Sequence, residues 1–131
     1  MKLLTVAVPC YNSQEYMHYS IQTLLAGGEE VEILIINDGS KDDTARIADQ
    51  YAAAYPTIIR AIHQENKGHG GAVNTGMANA TGKYFKVVDS DDWVDVRAYL
   101  KILEQLRRFE KNGEEVDVFI TNFVYEKEGA K

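Results

Sequence analysis

The feature of this chain that most demands a chemical explanation is Asp89-Ser90-Asp91-Asp92, three carboxylates in four positions at the end of a strand-like run, Tyr84 to Val88. Two like charges about 4 Å apart repel by about 4 kcal/mol at an effective dielectric of about 20, so acids gathered this way need a cation or solvent between them. Hard divalent ions take oxygen ligands, and paired acids at a strand end suit Mg²⁺ or Mn²⁺. A diphosphate could sit beside ionised acids only with such an ion as a bridge. The competing reading is that Asp91 or Asp92 caps the following helix and that the acids are solvated.

Two other apolar runs end in groups of the same kind, Pro9-Cys10-Tyr11-Asn12 and Asn37-Asp38-Gly39-Ser40. Asp38 could accept a hydrogen bond from a ribose hydroxyl or a base N–H, or could close an Asx-turn on its own backbone. Tyr11 offers an aromatic face with a polar tip, suited to a nucleobase or to a partly buried core position. Asn12 fits a helix cap as readily as a ligand contact. Lys67, in the glycine-rich stretch Asn66 to Gly76, could neutralise a phosphate or remain a solvated lysine. His18, His63 and His69 lack the Cys/His spacing of a transition-metal site and read as structural or solvated. Cys10, with no activating neighbour in sequence, reads as a small buried filler.

Short β-rich runs alternate with helical patterns around these groups, which predicts an α/β, Rossmann-like three-layer sandwich with a mostly parallel sheet. Strands are expected at Leu3–Pro9, Val31–Ile36, Thr57–His63, Tyr84–Val88 and Val116–Thr121. Asn12 and Glu15, three apart, predict a capping box ahead of a helix that buries Met17, Ile21, Leu24 and Leu25 and stops at Gly27-Gly28. A second helix, with Ser40 or Asp42 as cap, carries Ala45, Ala48, Tyr51, Ala52 and Tyr55 and ends at Pro56. A short third one falls within Gly71–Ala80. Asp95 caps a fourth that buries Val96, Tyr99, Leu100 and Leu103, turns a Glu104/Arg108 pair outward and ends at Gly113. Ligands of open α/β sheets bind beyond the carboxyl ends of the strands, so the three polar strand ends share one crevice if their strands are neighbours.

The chain has 131 residues, and 14 Lys+Arg against 20 Asp+Glu give a net charge of −6. That size fits a single domain, and that charge argues against nucleic-acid or anionic-membrane binding held by charge alone. The longest apolar stretches are strand-sized, so no membrane segment is expected here, and one cysteine gives no intrachain disulfide, which makes a cytoplasmic setting the default.

Taken in order, Val8-Pro9-Cys10-Tyr11-Asn12, then Glu32 to Ser40 with Asp42 and Thr44, then Asn66-Lys67-Gly68 with Ala72, Asn74 and Gly76, then Asp89-Ser90-Asp91-Asp92 resemble the family 2 glycosyltransferases. The resemblance implies the GT-A fold and its nucleotide-sugar-binding half, over residues 1–125 with a polar tail at 126–131. By matching position it implies donor contacts from Pro9, Tyr11, Asn12, Asp38, Lys67, Gly68, Asp89 and Ser90. Pro9 and Tyr11 would lie against the nucleoside, Asp38 on the base and Asp89 at the ribose or sugar, with Asp91 and Asp89 on Mg²⁺ or Mn²⁺. It implies a UDP-sugar as donor, with GDP and dTDP left open, a saccharide or lipid-linked acceptor, and inverting transfer in cell-surface polysaccharide synthesis, at the inner face of the membrane in the full-length protein. The family's catalytic base and acceptor region lie downstream of Asp92. This chain is therefore expected to be an N-terminal part that binds donor without turnover and self-associates through the surface left uncovered.

Rival readings fare less well. A nicotinamide-binding domain would need a G-x-G-x-x-G after the first strand, and Val73 stands where the third glycine of the Gly68/Gly70 pair should fall. A phosphatase with Asp89 as nucleophile would leave Tyr11 and Asp38 without roles. A calcium loop fails at Val94 and Leu100, where it needs glycine and glutamate. A catalytically silent nucleotide-binding module remains the alternative from another class.

Overall fold

Leu4–Cys10 (β1) and Val31–Asp38 (β2) are buried at every position, which explains why neither run alternates apolar with polar residues: both faces are covered. In this computed structural model, which describes residues 2–112 and 124–125, they form the centre of a four-stranded parallel sheet. Ile59–Gln64 (β3) and Tyr84–Val87 (β4) complete it, in the order β3-β2-β1-β4. Leu4 lies opposite both Val31 and Tyr84, and Ile33 opposite Ile59, so the strands advance in step toward one edge.

Met17–Leu24 (α1), Thr44–Ala54 (α2) and Val96–Asn112 (α4) bring Met17, Ile21, Leu24, Ile47, Ala48, Tyr99, Leu103 and Leu106 into one core with Val6, Val8, Ile33 and Ile35. Gly68–Asn79 (α3) packs on the opposite face, where Ala72 meets Leu34 and Ile36. This is the expected α/β three-layer arrangement. Trp93–Val94 (β5) pairs antiparallel with Val124–Tyr125 (β6). Among the described residues no helix is long and apolar enough to cross a membrane.

Four local expectations are corrected. Asn12 caps no helix. It adopts a left-handed φ of 50°, a conformation asparagine tolerates, its Oδ1 accepts the Lys41 N–H at 2.8 Å, and α1 starts only at Met17. α3 begins three residues earlier than expected, at Gly68. Tyr55 lies past the end of α2 and is exposed. α4 buries Tyr99, Leu103 and Leu106 but exposes Val96 and Leu100. Its rotation is set by Tyr99, whose hydroxyl donates to the Leu24 carbonyl at 2.7 Å over Gly27, where a Cβ would come within 2.5 Å of that oxygen. The strand expected at Val116–Thr121, the stop at Gly113 and the polar tail lie outside the described residues.

Candidate functional site

Because β2, β1 and β4 are neighbours, their carboxyl ends open onto one cleft of about 680 Å³, within the range of roughly 300–1,000 Å³ usual for small-molecule sites. Pro9, Tyr11, Asp38, Gly68, Asp89, Ser90 and Asp91 line it, as does Asp92. Asn12 and Lys67 are not among its lining residues.

Asp38 does not close a turn on its own backbone. That task falls to Asn37, whose Oδ1 accepts the Ser40 N–H at 3.1 Å. The buried Asp38 carboxylate instead accepts the Gln64 amide at 2.9 Å and the Lys67 backbone N–H at 2.8 Å, while Asn66 donates to the Asp38 carbonyl at 3.0 Å. β2 is thereby tied to the segment that leads into α3. Gly39 permits the approach: its φ is 74°, and a Cβ there would lie 2.7 Å from the Asn66 nitrogen. Lys67 thus contributes through its backbone N–H.

Tyr11 is half exposed at the cleft wall, so it is no core tyrosine. Its N–H donates to Ser13 Oγ at 3.1 Å, and that oxygen lies 2.7 Å from Ser90 Oγ. The Ser13 N–H donates to Thr44 Oγ1 at 2.8 Å, and that hydroxyl donates to Asp42 Oδ1 at 2.6 Å. Burial works against the Asp42 charge, yet the Thr44 and Gln14 donors outweigh it and hold the carboxyl below its ordinary range. One chain of hydrogen bonds therefore joins the segments that follow β1, β2 and β4. Cys10 is buried beside it, and burial pushes its thiol up to about 12, so the filler role expected of it stands.

Asp89, Asp91 and Asp92 each present a carboxylate oxygen within 4.8 Å of the others. Neither Asp91 nor Asp92 is the cap of α4, because Asp95 Oδ1 receives the Arg97 and Ala98 N–H groups at 3.1 and 3.4 Å. An all-oxygen donor set of this kind fits a hard divalent ion. His18 pairs with Tyr51, and His63 with Asn37 and Asp49, and neither lines the cleft. His69 differs: it lines the cleft, with Nε2 2.7 Å from Asp89 Oδ1. Sequence spacing missed it. The signal lay in Gly68-His69-Gly70-Gly71, a helical first turn with one side chain beyond glycine.

The sequence profile described as Glycosyl transferase family 2 matches residues 5–129. The chain belongs to this family. Among curated relatives of this glycosyltransferase chain, the minor teichoic acid biosynthesis protein GgaA of Bacillus subtilis is 31% identical over 135 residues, covering 97% of this chain and 29% of the relative. Glycosyltransferase GlyG of Streptococcus pneumoniae is 32% identical over 124 residues, covering 93% and 39%. The S. aureus TarS 1-349 structure in complex with UDP-GlcNAc superposes with a TM-score of 0.69 at 26% identity, over 86% of this chain and 32% of that one. Mannosyltransferase PcManGT from Pyrobaculum calidifontis, in complex with GDP-Man and Mn²⁺, gives 0.70 at 21% identity over 79% and 32%, a likeness of fold. The fold is thus that of the GT-A glycosyltransferases. The chain spans between 13% and 39% of the length of these and other curated relatives it matches.

Proposed function

We propose that residues 1–125 form the donor-binding subdomain of an inverting glycosyltransferase, and that the donor is a UDP-sugar. The observation that carries this reading is the convergence of Tyr11, Asp38 and the three acids in one cleft at the carboxyl edge of the sheet. A GT-A neighbour at 26% identity has been solved with UDP and with UDP-GlcNAc, which supports uracil as the base.

In this reading Tyr11 and Pro9 flank the nucleoside, and Asp38, already fixed by Gln64 and Lys67 N–H, accepts from the base. Gly68 lets the backbone come close to the nucleotide, and Ser90 keeps the acid loop in register with Tyr11 through Ser13. Asp89 and Asp91 hold Mg²⁺ or Mn²⁺, with Asp89 also facing the ribose or sugar. Such an ion, when bound, supplies the positive charge that a departing nucleoside diphosphate requires. In the transfer an acceptor hydroxyl attacks the anomeric carbon as the bond to the diphosphate oxygen breaks, and a carboxylate takes the hydroxyl proton. We assign that base, and recognition of a saccharide or lipid-linked acceptor, to residues beyond Asp92, and to this stretch the binding of donor without turnover. The GgaA relative, named for minor teichoic acid biosynthesis, supports a role in cell-surface polymer synthesis, which we place at the inner membrane face.

Calorimetric titration of UDP into the chain, with Mn²⁺ and with EDTA, tests it. Saturable binding that requires both the metal and Asp91 is expected, with Asp91→Asn lowering affinity at least about tenfold. Tight binding in EDTA would remove the metal from the reading, and preference for GDP or dTDP would replace the base.

A further inference from the structure

We propose that His69 is a positioning residue for the metal carboxylates: its Nε2–H holds one oxygen of Asp89 and so orders the acid triad before a divalent ion arrives. The inference rests on the metal reading above and extends it to a residue outside the acid motif.

The geometry is specific. His69 Nε2 lies 2.7 Å from Asp89 Oδ1, and a carboxylate only accepts, so the ring nitrogen is the donor. The two residues come from different parts of the chain, the first turn of α3 and the loop after β4, and both line the cleft. Asp89, Asp91 and Asp92 crowd their oxygens within 4.8 Å, and mutual repulsion favours rotamers that spread them apart. A donor on one of them offsets that repulsion and fixes a carboxylate that would otherwise lose rotamer freedom only on binding. Metal-ligating groups are commonly held by such outer partners, whose removal costs about 10- to 100-fold in metal affinity.

The local sequence is built for this placement. Gly68 has a φ of 80°, which sets the direction in which α3 starts. A Cβ at Gly68 or Gly70 would meet nothing within 4 Å, so the glycines on either side of His69 face open space. α3 itself is anchored by Ala72 and by Gly76, where a Cβ would come 2.7 Å from Ala7 Cβ, so the turn that carries His69 is held at a fixed height over β1.

The test is Mn²⁺ binding to the intact chain without nucleotide, read by calorimetry and by the loss of the free Mn²⁺ electron-paramagnetic signal. His69→Ala is expected to weaken Mn²⁺ about 10- to 100-fold with little change in melting midpoint, because the imidazole is exposed. His69→Gln, whose amide N–H reaches a similar point, is expected to recover most of the affinity. On an Asp89→Asn background His69→Ala is expected to cost nothing further. Unchanged Mn²⁺ affinity in His69→Ala overturns the inference alone. A glutamine variant as weak as alanine overturns the N–H donor role. No Mn²⁺ binding by the unsubstituted chain overturns the metal reading and this inference with it.

Discussion

Ser13 illustrates how much of the site rests on hydrogen bonds among the protein's own groups. It is buried, and its hydroxyl receives the Tyr11 N–H and meets Ser90, while its own N–H goes to Thr44. Ser13→Ala leaves the buried Ser90 hydroxyl and the Tyr11 N–H short of a partner, a loss of about 1–3 kcal/mol in unfolding free energy. Urea denaturation checks this, and Ser90→Ala is expected to be non-additive with it, since the two share one hydrogen bond. Additive effects would mean that Ser13 and Ser90 do not act as a unit. Cys10 yields a second expectation. With its thiol buried and pushed up to about 12, it should resist alkylation at about pH 8 in the folded chain and react promptly in denaturant. Rapid labelling of the folded chain would contradict the burial. At this scale the sequence revealed the groups that stand directly after strands, Tyr11, Asp38 and the acids, because a strand end is a place. It did not reveal Ser13 or His69, whose roles depend on what lies across the cleft, and it misread Asn12 because the capping spacing is shared by a left-handed turn.

Helix α3 is the element on which the site depends most, since it brings Gly68 and His69 to the cleft and contacts β1 and β2. Its approach is closest at Gly76, 2.7 Å from Ala7 Cβ by the position a Cβ would take. Gly76→Val forces the helix away from the sheet. We expect a loss of about 1–3 kcal/mol in stability together with weaker UDP binding, whereas Gly70→Ala, facing open space, should leave stability within about 0.5 kcal/mol. Equal melting midpoints for Gly76→Val and the unsubstituted chain would show that the contact yields without cost. The elements themselves were legible to different degrees. Apolar runs such as Leu3–Pro9 and Val31–Ile36 announced buried parallel strands, and the structure adds one or two residues at their ends. The existence of α4 was equally plain. Its phase was not, because periodicity alone cannot show that Tyr99 reaches the Leu24 carbonyl across Gly27 and turns Val96 and Leu100 outward.

Across the whole molecule the two edges of the sheet carry different burdens. The carboxyl edge gathers Asp89, Asp91 and Asp92 around the cleft, while near the amino edge an acid is satisfied by the protein itself. Glu32 is buried, and its Oε1 accepts from Thr5 Oγ1 at 2.8 Å and from the Thr81 N–H and hydroxyl at 2.9 Å each. Arg60 reaches its other oxygen at 3.1 Å, so one side chain clamps β1, β2, β3 and the turn before β4. Burial raises its proton affinity, but those donors and the Arg60 charge outweigh burial and hold the carboxyl below its ordinary value of 4.5. A carboxyl with a depressed folded pKa binds fewer protons folded than unfolded, so its stabilising contribution is complete above about pH 4.5 and is lost as the pH falls through the lower folded value. Asp42, depressed in the same direction, adds to the loss over the same acid window. Glu32→Gln removes the Glu32 part of this dependence. It should be less stable than the parent at about pH 7, by about 1–3 kcal/mol for donors left without a charged acceptor, and the gap should narrow as the pH falls below about 4.5 and through the lower folded value. Urea midpoints measured across that range check the expectation, and a constant gap between the two proteins at every pH would mean that the Glu32 charge contributes nothing to holding the strands together.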